Sequence, residues 1–340
     1  MRKLRSFTNY YPYTKEQKYK NELEIYKEMK IDDSIKPEKI HIKEIKKRKK
    51  EIFAEKDYNK PQNIFFIKID KHTTIFGRKL LSILRQKNLI PSINCSLVSD
   101  SMLIGILEGY EKRNRNIFIT YYPLTDGEKK EIFNKIKENN KFDIYHPFIY
   151  YDFETKKESD SPSSGWTLKE NTANDLYNGE QHIREYTINF LNSIKFKKDA
   201  VMFDPACSTG DFLKTIKEKF LTIKTIGQDL GIDMVQCAKT KLDIVYHGDA
   251  INSPVKDESV DFLFLRFLNF RVVTTTKAKE LYNSLIKKVK QGGYIICFGH
   301  TPVLLSLDDL MIDSLKLVSC IGYSQKYNSI FQYYILKKEG

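Results

Sequence analysis

The chain lacks paired cysteines, membrane-length apolar runs and a leader-like start, and each absence removes a class of protein. Its five cysteines stand singly at 95, 207, 237, 297 and 320, and no CxxC pair occurs. Neither a zinc site nor a disulfide framework is therefore expected, and a reducing cytoplasm is the simple inference. No apolar stretch is long enough to span a membrane. The start, Met1-Arg2-Lys3-Leu4-Arg5-Ser6-Phe7, is basic but leads into Tyr and Lys instead of a signal-peptide apolar region.

What is present is a folding composition with a basic excess. At 340 residues the chain can hold two domains with ordinary cores. A hydrophobic fraction of 41% marks a folded protein and not a disordered one. The net charge is +13, with lysine abundant throughout. One cluster stands out, Lys46-Lys47-Arg48-Lys49-Lys50. Such a run can meet nucleic acid or an acidic partner. Glu44 and Glu51 flank it, so a solvated helix face is the plainer reading.

The richest stretch begins at Val201. The apolar run Val201-Met202-Phe203 reaches Asp204, turns through Pro205, Ala206, Cys207, Ser208, Thr209 and Gly210, and continues into a predicted helix from Asp211 to Phe220. A small-residue loop between a strand and a helix N-terminus lets a ligand approach the backbone closely. Nineteen residues past Gly210, a second apolar run ends in Asp229, followed by Leu230. An acid about 20 residues after such a loop is where a nucleotide-binding sheet holds a ribose. A third short strand then leads to Gly248, Asp249 and Ala250. A dinucleotide site would want glycines where Ala206 and Ser208 stand, and Asp204 would face its pyrophosphate unfavourably. A cationic sulfonium and an amino group tolerate that acid. Loop, ribose acid and base acid together predict a site for S-adenosylmethionine (SAM), used as a substrate with no metal.

The rest of the chain is organised around this unit. Residues 1–61 read as a basic, helical arm with helical spacing from Lys15 to Met29, and 62–155 as a small α+β domain. Within the latter, strands are predicted at Asn63–Asp70, Ser96–Tyr110, Asn116–Tyr122 and Phe142–Phe153. Helices are predicted at Thr73–Asn88 and Asp126–Asn139. That order is βαββαβ, the ferredoxin-like arrangement. Residues 156–197 form a linker, mobile over 156–165, and a helical stretch from Asn171 to Leu191. Residues 198–340 are a Rossmann-like, doubly wound domain of class I SAM-dependent methyltransferase type. Its fourth strand is Val260–Leu265, its next helix Lys277–Val289, its fifth strand Tyr294–Phe298, and its closing antiparallel pair Leu315–Tyr323 and Ile330–Lys337.

Two places offer catalytic groups. On the linker-proximal helix, Tyr177, Glu180 and Arg184 fall at i, i+3 and i+7 and share a face. Tyr177 suits a sulfonium through a cation–π contact, and Arg184 suits a carboxylate. The same residues also read as a core aromatic and a weak surface ion pair. After the fourth strand the chain reads Leu265-Arg266-Phe267-Leu268-Asn269-Phe270. Adenine-directed DNA methyltransferases place an Asn-Pro-Pro-aromatic tetrapeptide here, and proline is absent from 255 to 301. Base methylation is not expected. Arg266 suggests an anionic group nearby, either a ligand carboxylate or a sheet-edge acid.

The Asp204–Gly210 loop, the Arg184-Glu185-Tyr186 helix and Arg266 together resemble the isonocardicin synthase group, to which azetidine-2-carboxylate synthases are similar. The resemblance spans about residues 166–300. It implies a class I SAM fold that uses the 3-amino-3-carboxypropyl arm of SAM and releases methylthioadenosine. The partner is then a small molecule or SAM alone, with no membrane and no nucleic acid expected. Tyr177, Glu180, Arg266 and Asn269 are the candidate catalytic residues. Small-molecule O- or N-methylation, and RNA modification, stay open as alternatives. No oligomeric state is signalled.

Overall fold

The computed structural model describes residues 27, 29–56, 63–79, 97–113, 116–148, 158, 160–167, 177–269, 272–299 and 301–340. The expectations for the arm before residue 27, for 80–96 and for 149–157 lie outside them.

Two sheets carry the described chain. The first contains β1 (Glu51–Lys56), β2 (Ile64–Asp70), β3 (Thr73–Arg78), β4 (Leu103–Arg113), β5 (Asn116–Pro123) and β6 (Asp143–Tyr145). Its order is β1-β5-β4-β3-β2-β6, and every pairing is antiparallel. One long helix, α1 (Asp126–Glu138), packs on it, started by a capping box between Thr125 and Glu128.

This order corrects the ferredoxin-like expectation. Thr73–Arg78 is a strand where a helix was predicted. The spacing of Phe76, Leu80 and Leu84 suits a helix, but Thr73-Thr74-Ile75-Phe76 is a run of β-formers. The two-residue turn at Lys71 and His72 settles the matter by folding β3 back on β2, with Asp70 accepting the His72 N–H at 2.7 Å. Among the described residues, β2 is thus followed directly by a hairpin strand, where a ferredoxin-like unit would place a helix.

The Lys46–Lys50 cluster is largely engaged by the protein itself. Both terminal nitrogens of Arg48 donate to Glu128 at 2.7 Å, and Lys50 pairs with Glu108 at 2.6 Å. Lys47 pairs with Glu44, and Lys46 donates to the His72 carbonyl.

The second sheet contains β7 (Val201–Asp204), β8 (Lys224–Asp229), β9 (Ile244–His247), β10 (Val260–Leu265), β11 (Val289–Phe298), β12 (Leu315–Ser324) and β13 (Ser329–Lys338). Its order is β12-β13-β11-β10-β7-β8-β9. The strands from β7 to β11 pair in parallel, and β13 enters antiparallel between β11 and β12. Helices α2 (Gln181–Ser193), α3 (Asp211–Lys219), α4 (Ile232–Lys239) and α5 (Thr275–Leu285) cover it. Helix α5 ends earlier, and β11 starts earlier, than the spacing predicted.

Apolar clusters bury both faces of the parallel strands, which is why those strands read as near-continuous hydrophobic runs. From β7 the chain moves outward through β8 to β9, then crosses back to β10 on the other side of β7. The crevice at the carboxyl ends of β7 and β10 is thus the topological switch point, where ligands bind in such sheets.

The sheets meet at β6. Tyr334 on β13 donates to Asp143 at 2.7 Å, and Gln332 donates to the Ile144 carbonyl at 2.6 Å. Burial pushes the Asp143 carboxyl up. One continuous apolar cluster runs through both sheets.

Candidate active site at the carboxyl edge of the parallel sheet

The loop after β7 is held in shape by its own backbone. Ser208 takes a positive φ of 50° and Gly210 one of 80°. The Cys207 N–H donates to the Gln228 carbonyl at 2.8 Å, and its carbonyl accepts from Gly210 at 2.9 Å. The Cys207 side chain is buried in the core against Gly227, and burial raises its thiol pKa far above the ordinary value. Cys207 therefore shapes the loop, and its side chain lies away from the crevice. Gly210 is required for a reason other than ligand approach: a Cβ there would stand 3.2 Å from Ala238 on α4. Thr209 donates to Asp211 at the start of α3.

Asp229, at the end of β8, ties two loops together. Its Oδ2 accepts from the Ser208 N–H at 2.8 Å and its Oδ1 from the Gly231 N–H at 2.9 Å. Burial pushes its carboxyl up, against the pull of those two bonds. Asp229, Leu230, Gly248, Asp249 and Ala250 line one cleft with Pro205 and Ala206. The sequence thus brought three successive strand ends to a single cavity. Asp249 caps the turn that follows by accepting the Ile251 N–H at 3.1 Å. Gln228, buried beneath, donates to the Gly248 and Asp249 carbonyls.

The far wall was not legible in the motifs. It includes Phe267, Val273, Leu281 and Lys277, whose Nζ stands 3.8 Å from Asp249 and 3.6 Å from Asp160. Over the mouth lies the described part of the expected mobile linker. The Ser161 N–H and hydroxyl both donate to the Val272 carbonyl, at 2.9 and 2.7 Å. The Trp166 indole donates to the Ser161 hydroxyl at 3.0 Å. Gly165, at φ 77°, lies so close to Gly231 that a Cβ would approach its nitrogen to 2.4 Å. Glu158 accepts from the Thr275 N–H at the start of α5. The segment is a strap docked from α5 to Gly231. No sequence signal marked Lys277, because its two partners lie far from it in the chain.

Beside the cleft, buried charges gather under the start of α2. Asp204 is fully buried; its Oδ1 accepts from Ala206 at 3.1 Å, and its Oδ2 makes no hydrogen bond. Arg266 sits between two acids, its Nη2 3.0 Å from Glu180 and its Nη1 3.5 Å from Asp204. Burial works against the Arg266 charge, but Glu180 and Asp204 outweigh it and hold the pKa above the usual value. The anionic group expected near Arg266 is thus supplied by these two carboxylates. The Arg184 guanidinium lies 3.9 Å over the Tyr177 ring, so the cation on that ring belongs to the protein. Asn269 donates to the Arg266 carbonyl, packs on Gly299, and keeps a buried Oδ1 without a partner. An acid, two arginines and unpaired buried polar atoms suit a ligand that carries both charges, as the amino-acid end of SAM does. Among the described residues, no group of three or more His, Cys, Asp or Glu could hold a metal ion, and no helix is long and apolar enough to cross a membrane.

The chain is similar to known proteins over this sheet and beyond it. A methyltransferase-domain model matches residues 203–297. Isonocardicin synthase of Nocardia uniformis subsp. tsuyamanensis is 30% identical over 85% of this chain and 94% of its own length. A probable tRNA (guanine(10)-N2)-dimethyltransferase of Methanothermococcus thermolithotrophicus is 31% identical over 35% of this chain and 81% of its own length. Demethylmenaquinone methyltransferase of Staphylococcus epidermidis is 27% identical over 39% of this chain and 56% of its own length.

Proposed function

The chain belongs to the isonocardicin synthase family of SAM-dependent, methyltransferase-fold enzymes, and on that premise we propose that it acts at the 3-amino-3-carboxypropyl arm of SAM and releases methylthioadenosine. The observation that carries this reading is the buried charge cluster of Glu180, Arg266, Asp204 and Arg184 beside the nucleoside cleft. A methyl donor needs its amino-acid arm only as a handle. An enzyme that reacts at the γ-carbon must fix the arm's whole conformation, because in-line displacement depends on alignment.

In this reading Asp229 bonds the ribose hydroxyls and Asp249 the adenine amine. The loop Ala206–Gly210 lies along the methionine portion. A nucleophile attacks the γ-carbon as the bond from that carbon to sulfur breaks. The bonding pair goes to sulfur and leaves a neutral thioether. If the nucleophile is SAM's own amine, that amine must first lose a proton, which Asp204, Glu180, the Tyr177 hydroxyl or Asn269 can accept or orient. The product is then azetidine-2-carboxylate, with no external acceptor. With a phenol or amine acceptor the same residues serve intermolecular transfer.

Methyl transfer to a small molecule is the second reading, favoured by the relative named demethylmenaquinone methyltransferase. The product nucleoside separates the two. SAM incubated with the protein alone, followed by mass spectrometry, should give methylthioadenosine and azetidine-2-carboxylate. Methylthioadenosine that forms only with an added acceptor supports the intermolecular version. S-adenosylhomocysteine as the only nucleoside product overturns both versions of reaction at the γ-carbon and supports methyl transfer.

A further inference from the structure

The strap reaches the start of α5 through three contacts. Glu158 accepts from the Thr275 N–H at 3.1 Å and from the Thr275 hydroxyl. Ser161 donates twice to the Val272 carbonyl, just ahead of the helix. Between them, Asp160 faces Lys277 in the first turn of α5. Lys277 also faces Asp249, and all three residues line the cleft.

The two carboxylates meet this ammonium in the same way. Asp160 Oδ1 accepts from the Ser161 N–H at 2.8 Å, and Asp249 Oδ1 accepts from the Ile251 N–H at 3.1 Å. Each acid is thus fixed by its own backbone and leaves its Oδ2 to Lys277, at 3.6 Å for Asp160 and 3.8 Å for Asp249. One ammonium stands between an acid of the strap and an acid of the base site. A carboxylate oxygen has two acceptor positions, so Asp249 Oδ2 can take a ligand's amine without giving up Lys277. Without the cation, two carboxylates would face one another across the mouth. The three charges are partly exposed, so in the open cleft each contact contributes little. A bound nucleoside displaces water from around them, and the same charges then attract more strongly. Strap docking and base binding therefore strengthen each other, as coupled equilibria must.

We propose that Lys277 is a positioning residue that links base recognition to the strap: it holds Asp249 toward the purine amine and draws Asp160, with the strap, over the bound nucleoside. The link rests on the reading of Asp249 as the acid that bonds the adenine amine, and is the same whichever carbon of SAM is attacked.

S-adenosylhomocysteine serves as the probe, because it carries the nucleoside and has no sulfonium to react. Calorimetry on Lys277→Met and on Asp160→Asn should each show its binding weakened about 2- to 5-fold, the range for a partly exposed ion pair. The double variant should bind it no more weakly than Lys277→Met does, since the two residues act through one contact. Lys277→Arg should recover affinity, which a loss of packing alone would not predict. In the parent the ligand should slow hydrogen exchange at the Ser161 amide, and in Lys277→Met that slowing should shrink by about the factor lost in affinity. Unchanged affinity in Lys277→Met, losses that add in the double variant, or equal slowing in Lys277→Met and the parent overturns the proposal. S-inosylhomocysteine, with an oxygen in place of the purine amine, tests the reading beneath it. This ligand should bind the parent about 10- to 150-fold more weakly than S-adenosylhomocysteine, for a lost charge-assisted hydrogen bond. Equal affinity for the two removes Asp249 from the amine, and the link with it. Weaker binding of S-inosylhomocysteine together with additive losses overturns the link alone and leaves the base site standing.

Discussion

Asp229 holds Ser208: its Oδ2 accepts the Ser208 backbone N–H at 2.8 Å, so the end of β8 fixes the loop that follows β7. The acid proposed to bond the ribose is thus also a structural member. Its other oxygen restrains Gly231, on which the strap residue Gly165 rests.

Asp229→Ala should therefore show two effects. SAM binding should weaken about 10- to 150-fold, for a lost charge-assisted bond to the ribose. Stability should fall by about 1–3 kcal/mol, because the Ser208 and Gly231 donors lose their acceptor. Calorimetry and urea unfolding read the two separately, and unchanged affinity removes Asp229 from the ribose site.

Asp204 should make both stability and binding depend on pH. Burial pushes its carboxyl up from 3.8 to about 6, against the pull of Arg266. A folded-state value above the unfolded one favours the protonated native state. The contribution is fully present below 3.8 and is lost as pH rises through about 6. The difference amounts to about 3 kcal/mol. Urea unfolding across this window should show that loss in the parent and not in Asp204→Asn. SAM, which brings a cationic amino group, should bind more tightly as pH rises through 6 and the carboxylate forms. A binding profile as steep in Asp204→Asn as in the parent counts against the assignment.

Gly210→Val should destabilise the fold before it affects binding. The position has φ 80°, and its Cβ would press on Ala238 at 3.2 Å and Leu242 at 3.3 Å. Left-handed backbone alone costs a residue with a Cβ about 1–2 kcal/mol. The melting temperature should fall, and SAM affinity of the fraction that remains folded should drop as the loop shifts. A variant with parental melting and affinity shows that the loop tolerates a side chain there.

The strap can be followed by the chain's single tryptophan. Trp166 is 55% exposed and lines the cleft. Methylthioadenosine should shift its emission to the blue and slow hydrogen exchange at the Ser161 amide, which donates to Val272. Emission and exchange that stay the same at saturating ligand separate the strap from the nucleoside site.

The second sheet was legible because its signals are local. Each apolar run ends in its acid within a few residues, so Asp204, Asp229 and Asp249 announce their strands without knowledge of the fold. Parallel strands buried on both faces must be apolar throughout, which also sharpens their bounds; β10 begins and ends where its sequence says. The first sheet was less readable. Thr73–Arg78 carries residues that suit either period, and its partners, not its own pattern, make it a strand.

By itself the sequence determined the class of fold, the succession of the parallel strands along the chain and which acids reach the cleft, since apolar runs, turn chemistry and strand-end acids act over a few residues. Only the tertiary structure decided how the charges are shared. Arg266 meets Glu180 across 86 residues of chain, and the strap meets Val272 across 111. Such pairs depend on which loops the sheet order brings to one edge. That is why two arginines that look alike in the sequence differ in the fold, one matched by carboxylates and the other left with a donor to fill.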